Sequence, residues 1–391
     1  MALFEIDARA GSARAGVLRL AHGEVQTPAF VPLASNASVR GLDAPEVADL
    51  GYEMVLGNTF HLFITPGHDH IAALGGLHRF MGWDRPIITD SGGFQVFSMG
   101  HGSVADEVKR RRGASQSRIL AIEEEGVSFR AYTDGAERFM GPETSMEVQA
   151  ALGSDIALAF DECTPFHVDR AYTQRSMERT HRWLDRCVAW QAEHGRDDQV
   201  LYGIVQGGVD RELRAESAAF IAGAGVDGIA IGGTLGEDKD QMHEVLGWSM
   251  EGLPEAPPRH LLGIGDVDDI VHAVGMGIDS FDCATPTRLA RHGTALVPDP
   301  ERRWKIDLTK SEWRDDPRPL FEGAGTPHSR AYLHYLAKGK ELTGARILTL
   351  HNLDFMARLM TGIRTAIRAG EWEAYAERVL AGLEPYGAQV S

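Results

Sequence analysis

The sequence predicts an α/β fold, a closed (β/α)8 TIM barrel with a hairpin insertion after the third strand and a helical extension at the carboxyl end. Eight short, nearly continuous apolar runs occur before residue 284, and stretches of helical pattern lie between most of them. Such runs are typical of parallel strands buried on both faces. Strands that alternate with helices indicate βαβ units, and eight of them favour closure into a barrel. A doubly wound open sheet is the structural alternative.

Each predicted strand ends in polar or glycine residues. In chain order the runs are TPAFVPLA, EMVLGN, PIITD, DIALAFD, VLYGIVQG, GIAIGG, HLLGIGD and IDSFDC. Helices are predicted from Ser176 towards Glu193 and from Arg211 to Ala224. A further helix is predicted after Asp266, which we expect at its N-cap with Asp269 three residues later.

Two regions interrupt the alternation. Residues 97–150 separate the third and fourth strands and contain IEEEGVSFRAYTDGAERFM, which predicts a hairpin with an Asp134-Gly135 turn. Residues 287–391 follow the last strand and contain helical patterns in SRAYLHYLAKGKEL and HNLDFMARLMTGIRTAIRAG. Since no repeat, low-complexity tract or linker is evident, residues 1–391 are predicted to form one domain that carries this insertion and a C-terminal helical subdomain.

The composition indicates where in the cell the protein works, but it does not identify the binding partner. The sequence contains no apolar run long enough to predict a membrane span. Three widely spaced cysteines (Cys163, Cys187 and Cys283) favour reduced thiols in the cytoplasm. The net charge of −17 disfavours a nucleic-acid partner if it is taken globally. Residues 288–318, however, contain eight Lys/Arg against six Asp/Glu, and residues 109–112 form a basic tetrad. The tetrad could equally be a solvated loop, so the sign of the charge does not decide the partner.

Three aspartates lie at the ends of predicted strands: Asp90, Asp161 and Asp282. In a (β/α)8 barrel the active site lies at the carboxyl ends of the strands. A lone aspartate there is more often a helix cap or a partner of a buried amide. Three at equivalent strand ends, beside glycine-rich turns, favour a shared pocket in which one carboxylate is a nucleophile and another carries a proton.

The neighbours of these aspartates suggest a flat ligand. Ser91 is followed by two glycines, which let a ligand approach the backbone closely, and by Phe94, which could stack on a base or belong to the core. Gln206 and the Gly232-Gly233 pair would add an amide and backbone groups suited to a purine edge. Walker, dinucleotide-binding and Ser-His-Asp signatures are not evident. The residues alone therefore predict a planar ligand and carboxylate chemistry.

Motifs along nearly the whole chain, from about residue 26 to 360, resemble those of tRNA-guanine transglycosylases. The longest and most specific are TDSGGFQVFS and FDC-x-x-PTR. The others are TPAFVPL, VLGNTFHLFITPG, FDECTPF, SMERTHRWL, GIVQGG, RDDPRPL, SRAYLHYL and HNLDFM. The resemblance implies an enzyme that exchanges the wobble guanine of tRNA for a 7-deazaguanine.

The resemblance also implies roles for individual residues. Asp282 corresponds to the nucleophile that forms a covalent ribosyl intermediate, and Asp90 to the acid and base that exchanges protons with the two bases. Asp161 would hold the edge of the base. The base would also be bound by Ser91, Gln206, Gly232, Gly233 and Cys163 and stacked on Phe94, while Arg288 and Arg291 would grip the anticodon loop. This division suits a glycosyl transfer, which needs a nucleophilic carboxylate and a proton carrier, after the base has left its stack.

The chain departs from the family at the structural zinc site. The family has C-x-C-x-x-C before SRAYL and a histidine downstream, whereas residues 321–328 contain no cysteine. Only His351 stands at a ligand position, and a tetrahedral site needs four ligands. We therefore expect no zinc and no other cofactor, a packing or hydrogen-bonding role for His351, and a loop 321–328 held by packing alone.

Two further departures concern substrate recognition. The loop Gly232–Asp238 (GGTLGED) is one residue shorter than usual, in a place where the family reads the substituent at position 7 of the base. Cys163 matches the bacterial branch, which favours 7-aminomethyl-7-deazaguanine, but the altered loop leaves queuine or the cyano precursor open. Residues 100–118 are longer than usual, and their basic tetrad would compensate on the RNA side.

Other functions remain open at this point. One is a non-catalytic tRNA-binding accessory subunit, although the retention of all three aspartates argues against it. Another is a nucleosidase that releases deazaguanines from free nucleosides, and a third is exchange on another nucleic acid such as DNA. The resemblance also implies a homodimer, whose usual interface involves the remodelled zinc region.

Overall fold

The computed structural model describes residues 2–101, 119–164, 168–233 and 236–385. Within these ranges the strands follow one another from an amino-terminal sheet into the barrel and its insertion. They are β1 (Phe4–Ala10), β2 (Ala13–Leu20), β3 (Gly23–Thr27), β4 (Ala29–Ala34), β5 (Val55–Gly57), β6 (Ile87–Thr89), β7 (Ile119–Ile122), β8 (Val127–Arg130), β9 (Glu137–Met140), β10 (Ile156–Leu158), β11 (Val200–Val205), β12 (Gly228–Ile231), β13 (Arg259–Leu261), β14 (Ser280–Cys283), β15 (Thr294–Leu296) and β16 (Lys305–Asp307).

Helices follow most of the barrel strands. In the described ranges they are α1 (Ala44–Asp49), α2 (Thr59–Ile64), α3 (His68–Ala73), α4 (Gly76–Met81), α5 (Gly93–His101), α6 (Pro142–Leu152), α7 (Arg170–His194), α8 (Arg211–Gly223), α9 (Lys239–Met250), α10 (Val267–Gly275), α11 (Thr285–Arg291), α12 (Arg330–Gly339), α13 (Leu342–Ala369) and α14 (Trp372–Leu380).

The eight predicted strands form a closed parallel barrel, which confirms the predicted fold class. Their order around the barrel is β4, β5, β6, β10, β11, β12, β13 and β14. Closure comes from the pairing of β14 with β4, where Asp282 lies opposite Val31. An open doubly wound sheet has no such pairing, so that alternative is excluded.

Apolar side chains from neighbouring strands meet in one buried cluster. Six consecutive barrel strands contribute to it, because alternate residues of each strand point to the same side. The members from these strands include Val31, Leu56, Ile88, Leu158, Ile204 and Ala230. A larger cluster joins other strand residues to the surrounding helices, including α13. The barrel is thus a packed core, and only its ends are available for polar chemistry.

The amino-terminal sheet β1–β3 was not predicted. Its middle strand, ARAGVLRL, contains two arginines and several small residues instead of an apolar run. Arg14 is nevertheless buried, because its guanidinium binds both oxygens of Asp279 at 2.8 and 2.5 Å. Long-range charge pairing of this kind leaves no local pattern in the sequence.

The insertion between β6 and β10 contains the antiparallel sheet β7–β8–β9. The predicted Asp134-Gly135 turn lies between β8 and β9, and Asp134 Oδ1 accepts a hydrogen bond of 3.0 Å from the amide of Ala136. The basic tetrad at 109–112 lies outside the described residues, as does most of the segment 100–118.

The expected helices also form, with one difference. Asp266 precedes α10 as predicted, but its side chain makes no capping bond. Its carboxylate lies 3.6 Å from Lys239 Nζ and 3.9 Å from Lys305 Nζ, so these ammonium groups compete with the helix end for it. Over the described residues, no helix is both long and apolar enough to span a membrane.

Candidate active site

The carboxyl end of the barrel brings Asp90, Asp161 and Asp282 together. Asp90 directly follows β6, Asp161 follows the neighbouring strand β10, and Asp282 lies near the end of β14. Ser91, next to Asp90, donates to Asp161 Oδ1 at 2.8 Å, and the charges of Asp282 and Asp161 both raise the pKa of Asp90. The structure therefore places the three predicted aspartates around one site.

Asp90 is held by the start of α2. Its Oδ1 accepts a hydrogen bond of 2.9 Å from the amide of Thr59, and its Oδ2 accepts one from the side-chain amide of Asn58. Burial raises the pKa of Asp90 to about 7, opposed by the Thr59 amide and assisted by the two neighbouring carboxylates. A carboxyl group with a pKa near neutrality can both give and take a proton under physiological conditions.

Asp161 is buried between two neutral donors. Its Oδ1 accepts from Ser91 Oγ at 2.8 Å, and its Oδ2 accepts from Gln206 Nε2 at 2.7 Å. Burial raises the pKa of Asp161 to about 6 although both bonds favour the ionised form. A side chain at Gly93 would come within 2.4 Å of the carbonyl oxygen of Asp161, so only glycine allows the two loops to approach this closely.

Asp282 has two neighbours on one of its oxygens. Its Oδ1 lies 3.1 Å from Nε2 of His260 and accepts a hydrogen bond of 3.2 Å from the amide of Gly263. The other ring nitrogen of His260, Nδ1, lies 2.8 Å from Ser280 Oγ. The Asp282 side chain is 10% exposed, so an incoming group can reach the carboxylate.

Phe94 and Gln206 offer surfaces for a flat ligand. Phe94, in the first turn of α5, is 47% exposed, which excludes the alternative that it belongs to the core. Gln206 Oε1 is a buried acceptor without a hydrogen-bond partner among the described residues. It lies against Gly233, whose φ of +76° and proximity to this oxygen leave no room for a side chain. An unsatisfied buried acceptor is costly unless a ligand supplies a donor.

Gly232 and Cys163 are linked to the site through Arg214, a residue that the sequence did not reveal. Arg214 is buried and donates to the carbonyl groups of Gly208 at 2.8 Å and Gly232 at 2.9 Å. Burial lowers its pKa to about 10, and its charge interacts with partly buried Cys163. Arg214 therefore fixes the loops after β11 and β12, although on α8 it looks like an ordinary surface cation.

Arg288 and Arg291 lie on α11, directly after the strand that carries Asp282. Both are exposed, and burial together with the charges of Arg40 and Arg288 lowers the pKa of Arg291. Arg40 thus joins the two predicted cations in a basic patch, which we call the Arg40–Arg288–Arg291 patch. It lies beside the carboxyl end of the barrel and can attract an anion.

Two groups of described residues could hold a metal ion, and neither involves the three aspartates of the site. His22, His78 and Asp155 form one, but each histidine already pairs with its own oxygen of Asp155, at 2.9 and 3.1 Å. In the other, which also includes Asp266, Lys239 Nζ donates to Asp268 at 2.6 Å and Asp269 at 3.0 Å. Both groups are satisfied within the protein.

His351 is buried in the region where the resemblance places zinc. Its Nε2 lies 2.8 Å from the carbonyl oxygen of Leu296, and its ring lies 5.5 Å from that of Phe321. Within loop 321–328, the Ala324 amide donates to the Phe321 carbonyl at 3.3 Å and the His328 amide donates to Thr326 Oγ1 at 3.4 Å, so the loop contains short turns.

His260 and Ser280 are the other residues that sequence reasoning missed. His260 lies within the apolar run HLLGIGD, and its contact with Asp282 depends on the pairing of β13 with β14, in which His260 is opposite Ser280. A signal was present, because Ser280 and Asp282 have the period-two spacing of residues on one face of a strand. With these residues the site can present one reactive carboxylate oxygen, a proton carrier and a polar cradle for a flat heterocycle.

Residues 8–385 match the family described as Queuine tRNA-ribosyltransferase. Proteins named Queuine tRNA-ribosyltransferase are similar to the chain over nearly its whole length. One from Roseiflexus sp. (strain RS-1) is 47% identical over 386 residues, covering 94% of this chain and 96% of the relative. Another from Pelotomaculum thermopropionicum is 46% identical over 363 residues, covering 92% of each, and one from Thiobacillus denitrificans is 45% identical over 373 residues, covering 94% and 95%.

Proposed function

The chain belongs to the queuine tRNA-ribosyltransferase family, and from this premise we propose that it exchanges the wobble guanine of tRNA for a 7-deazaguanine. The observation that carries the proposal is the convergence of Asp90, Asp161 and Asp282 at one end of the barrel with three different environments. Carboxylates whose environments differ can divide the roles of nucleophile, proton carrier and ligand holder.

In the first step Asp282 acts as the nucleophile. A carboxylate oxygen attacks C1′ of the wobble guanosine, the C1′–N9 bond breaks, and its electron pair leaves with the guanine. Asp90, whose pKa is about 7, supplies the proton that the departing base needs. The product is a ribosyl ester on Asp282 and free guanine.

In the second step the incoming base replaces the ester. Asp90, now ionised, takes the proton from N9 of the 7-deazaguanine, and N9 attacks C1′ while the ester C–O bond breaks. Asp282 recovers its carboxylate, and Asp90 recovers the proton it gave away. The cycle therefore needs no net acid, base or redox partner.

Asp161 and Gln206 would recognise the base. The guanine edge presents two donors, N1–H and the 2-amino group, and a carboxylate has lone pairs beyond those that Ser91 and Gln206 occupy. The unsatisfied Gln206 Oε1 and the Gly232-Gly233 backbone add further polar groups, and Phe94 offers its exposed ring for stacking. Cys163 matches the bacterial branch of the family, which favours 7-aminomethyl-7-deazaguanine as the incoming base.

The Arg40–Arg288–Arg291 patch would bind the phosphates of the anticodon loop. The patch lies beside Asp282 and is positively charged, which favours a tRNA substrate over the free nucleosides that a nucleosidase would use. A free nucleoside has no phosphate backbone for the patch to bind. A non-catalytic accessory subunit would not need Asp282 to keep an accessible carboxylate. These two functions are therefore the weaker alternatives.

We further propose that the chain works without zinc, as a homodimer, in the cytoplasm where its tRNA substrate is found. In support of the first point, Nε2 of His351 already contacts the Leu296 carbonyl, and the three cysteines of the chain lie outside residues 321–328. Exposed Tyr335 and Leu342 on the C-terminal helices offer apolar surface for a partner copy.

The test is exchange of radiolabelled guanine into unmodified tRNA that carries a wobble guanine. Wild type should incorporate the label, and Asp282→Asn should lose roughly 10⁴-fold or more in rate because the nucleophile is gone. Binding of tRNA should change little, since the patch is intact. Competition with 7-aminomethyl-7-deazaguanine, its cyano precursor and queuine would then rank the incoming bases.

Two controls separate the alternatives. An Asp240→Asn variant, altered on exposed α9, should incorporate label like wild type. No incorporation by folded wild type, with tRNA binding retained, would move the assignment to an accessory subunit. Release of base from free nucleosides without incorporation would move it to a nucleosidase.

A further inference from the structure

His260 joins the proposed nucleophile to a second polar residue of the same strand. The ring is completely buried, with Nε2 3.1 Å from Asp282 Oδ1 and Nδ1 2.8 Å from Ser280 Oγ. His260 belongs to β13, and the neighbouring strand β14 supplies both of its partners. Rigid barrel strands therefore set the whole arrangement, without help from a mobile loop.

The ionised state of Asp282 selects one tautomer of this imidazole. A carboxylate oxygen only accepts hydrogen bonds, so Nε2 must carry the proton when it faces ionised Asp282. In the neutral imidazole Nδ1 is then an acceptor, and the hydroxyl of Ser280 is the donor that satisfies it. With the opposite tautomer, two acceptors would face each other at 3.1 Å.

We propose that His260 is a positioning residue for the nucleophile, with Ser280 fixing its tautomer; this rests on the function proposed above. Nε2–H and the Gly263 amide both bind Oδ1 of Asp282, at 3.1 and 3.2 Å. With Oδ1 held by two donors, Oδ2 is the oxygen presented to C1′. The orientation of the carboxylate is thereby set before tRNA binds.

The same bond acts on the second chemical step. When the ribosyl ester breaks, the electron pair of the C–O bond returns to the carboxyl group and negative charge develops on both oxygens. A donor already directed at Oδ1 stabilises that charge, as in other sites where fixed donors face a developing anion. The first step gains orientation from His260, whereas the second gains stabilisation of the departing carboxylate.

This difference gives a readout that a purely structural role would not produce. In His260→Leu, the donor is lost, and we expect kcat for guanine exchange to fall roughly 10²-fold, as on removal of one fixed donor, with KM for tRNA nearly unchanged. Loss of the donor should slow ester breakdown more than ester formation. The fraction of enzyme found as a covalent tRNA adduct on denaturing gels should therefore rise above that of wild type. Asp282→Asn should give no adduct.

The conservative variant tests whether the donor itself matters. In His260→Gln, the side-chain amide can place an N–H near the position of Nε2, so most of kcat and the wild-type adduct level should return. Ser280→Ala leaves the imidazole in place but removes the group that fixes its tautomer, and kcat should fall to a value between those of wild type and His260→Leu. Circular dichroism and thermal melting establish that each variant is folded.

A measurement on wild type reads the protonation of the ring directly. The ¹⁵N chemical shifts of labelled His260, assigned by the loss of its signals in His260→Gln, should report a protonated Nε2 and an unprotonated Nδ1. An unprotonated Nε2, or folded His260→Leu with kcat near that of wild type, would overturn the proposal. Failure of wild type to exchange guanine would instead overturn the proposed function, and the role of His260 with it.

Discussion

Two aspartates at opposite ends of β14, Asp279 directly before the strand and Asp282 within it, have different roles. Asp279 lies at the amino end of β14, where the guanidinium of Arg14 binds both of its oxygens and the pair is 1% exposed on each side. Asp282 lies three residues later at the carboxyl end, where Nε2 of His260 and the amide of Gly263 contact Oδ1 and the side chain is 10% exposed. The same residue type is structural at one end of the barrel and available for chemistry at the other.

The contrast extends to the neighbouring carboxylates. At the amino end, burial would raise the pKa of Asp155, but hydrogen bonds from His78, the Ile87 amide and His22 outweigh it and lower the pKa. At the carboxyl end, Asp90 and Asp161 are contacted by neutral donors, and burial raises their pKa values to about 7 and about 6. The hydrogen bonds to Asp155 keep its pKa below the usual range, whereas burial leaves the protonation of Asp90 and Asp161 responsive near neutral pH.

The sharpest test of this contrast is loss of the proton carrier. In Asp90→Asn the site keeps its shape but has no acid for the departing guanine, so the exchange rate should fall roughly 10²–10⁴-fold. Since cleavage needs protonated Asp90, wild-type kcat/KM for tRNA should fall above about pH 7, where this group ionises.

The pH–rate profile of the residual activity checks the assignment. The decline above pH 7 should disappear in Asp90→Asn. If the decline above pH 7 persists unchanged in Asp90→Asn, another group governs the pH–rate profile and Asp90 is not the proton carrier.

At the amino end the expected damage is to stability alone. Arg14→Met removes the guanidinium that binds both oxygens of Asp279, and loss of one partner of a buried ion pair typically costs about 3–5 kcal/mol in the free energy of unfolding. Denaturant unfolding measures this loss, and kcat of the folded fraction should be unchanged. The matched control is Arg196→Met, which breaks the exposed pair with Asp198 and should cost less than about 1 kcal/mol. If Arg14→Met lowers the free energy of unfolding no more than the control does, the Arg14–Asp279 pair does not stabilise the amino end of the barrel.

The sequence allowed the barrel and its three aspartates to be predicted, because apolar runs and their polar ends are local signals. The sheet β1–β3 was missed since Arg14 is paired with a residue 265 positions away. His260 was missed for a similar reason, as its role comes from the pairing of β13 with β14. The position of Phe94 also needed the structure, because an aromatic residue after two glycines is equally compatible with core and surface. Long-range pairing is thus what separates the predicted part of the site from the part that only coordinates reveal.

The smallest expected effect is a gain in stability for Asp90→Asn, opposite in sign to the loss expected for Arg14→Met at the other end of the barrel. The pKa of Asp90 in the folded protein, about 7, lies above the 3.8 of the free side chain, so ionisation of Asp90 opposes folding. This penalty is absent below about pH 4, grows as the pH rises and is constant above about pH 7. Asn at position 90 is neutral throughout, so Asp90→Asn should be more stable than wild type at pH 8, by on the order of 1–2 kcal/mol after allowance for water access.

Thermal or denaturant unfolding of both proteins at pH 5.5 and pH 8 measures the difference. The gain of Asp90→Asn should be larger at pH 8, while Arg14→Met should remain destabilised at both values, because Asp279 has no other guanidinium on its two oxygens among the described residues. Equal stability of Asp90→Asn and wild type at pH 8 would mean that ionised Asp90 does not destabilise the folded protein. A gain that is larger at pH 8 than at pH 5.5 would instead establish that the carboxylate needed for catalysis is kept at the expense of stability, whereas its counterpart at the amino end of the barrel holds the fold together.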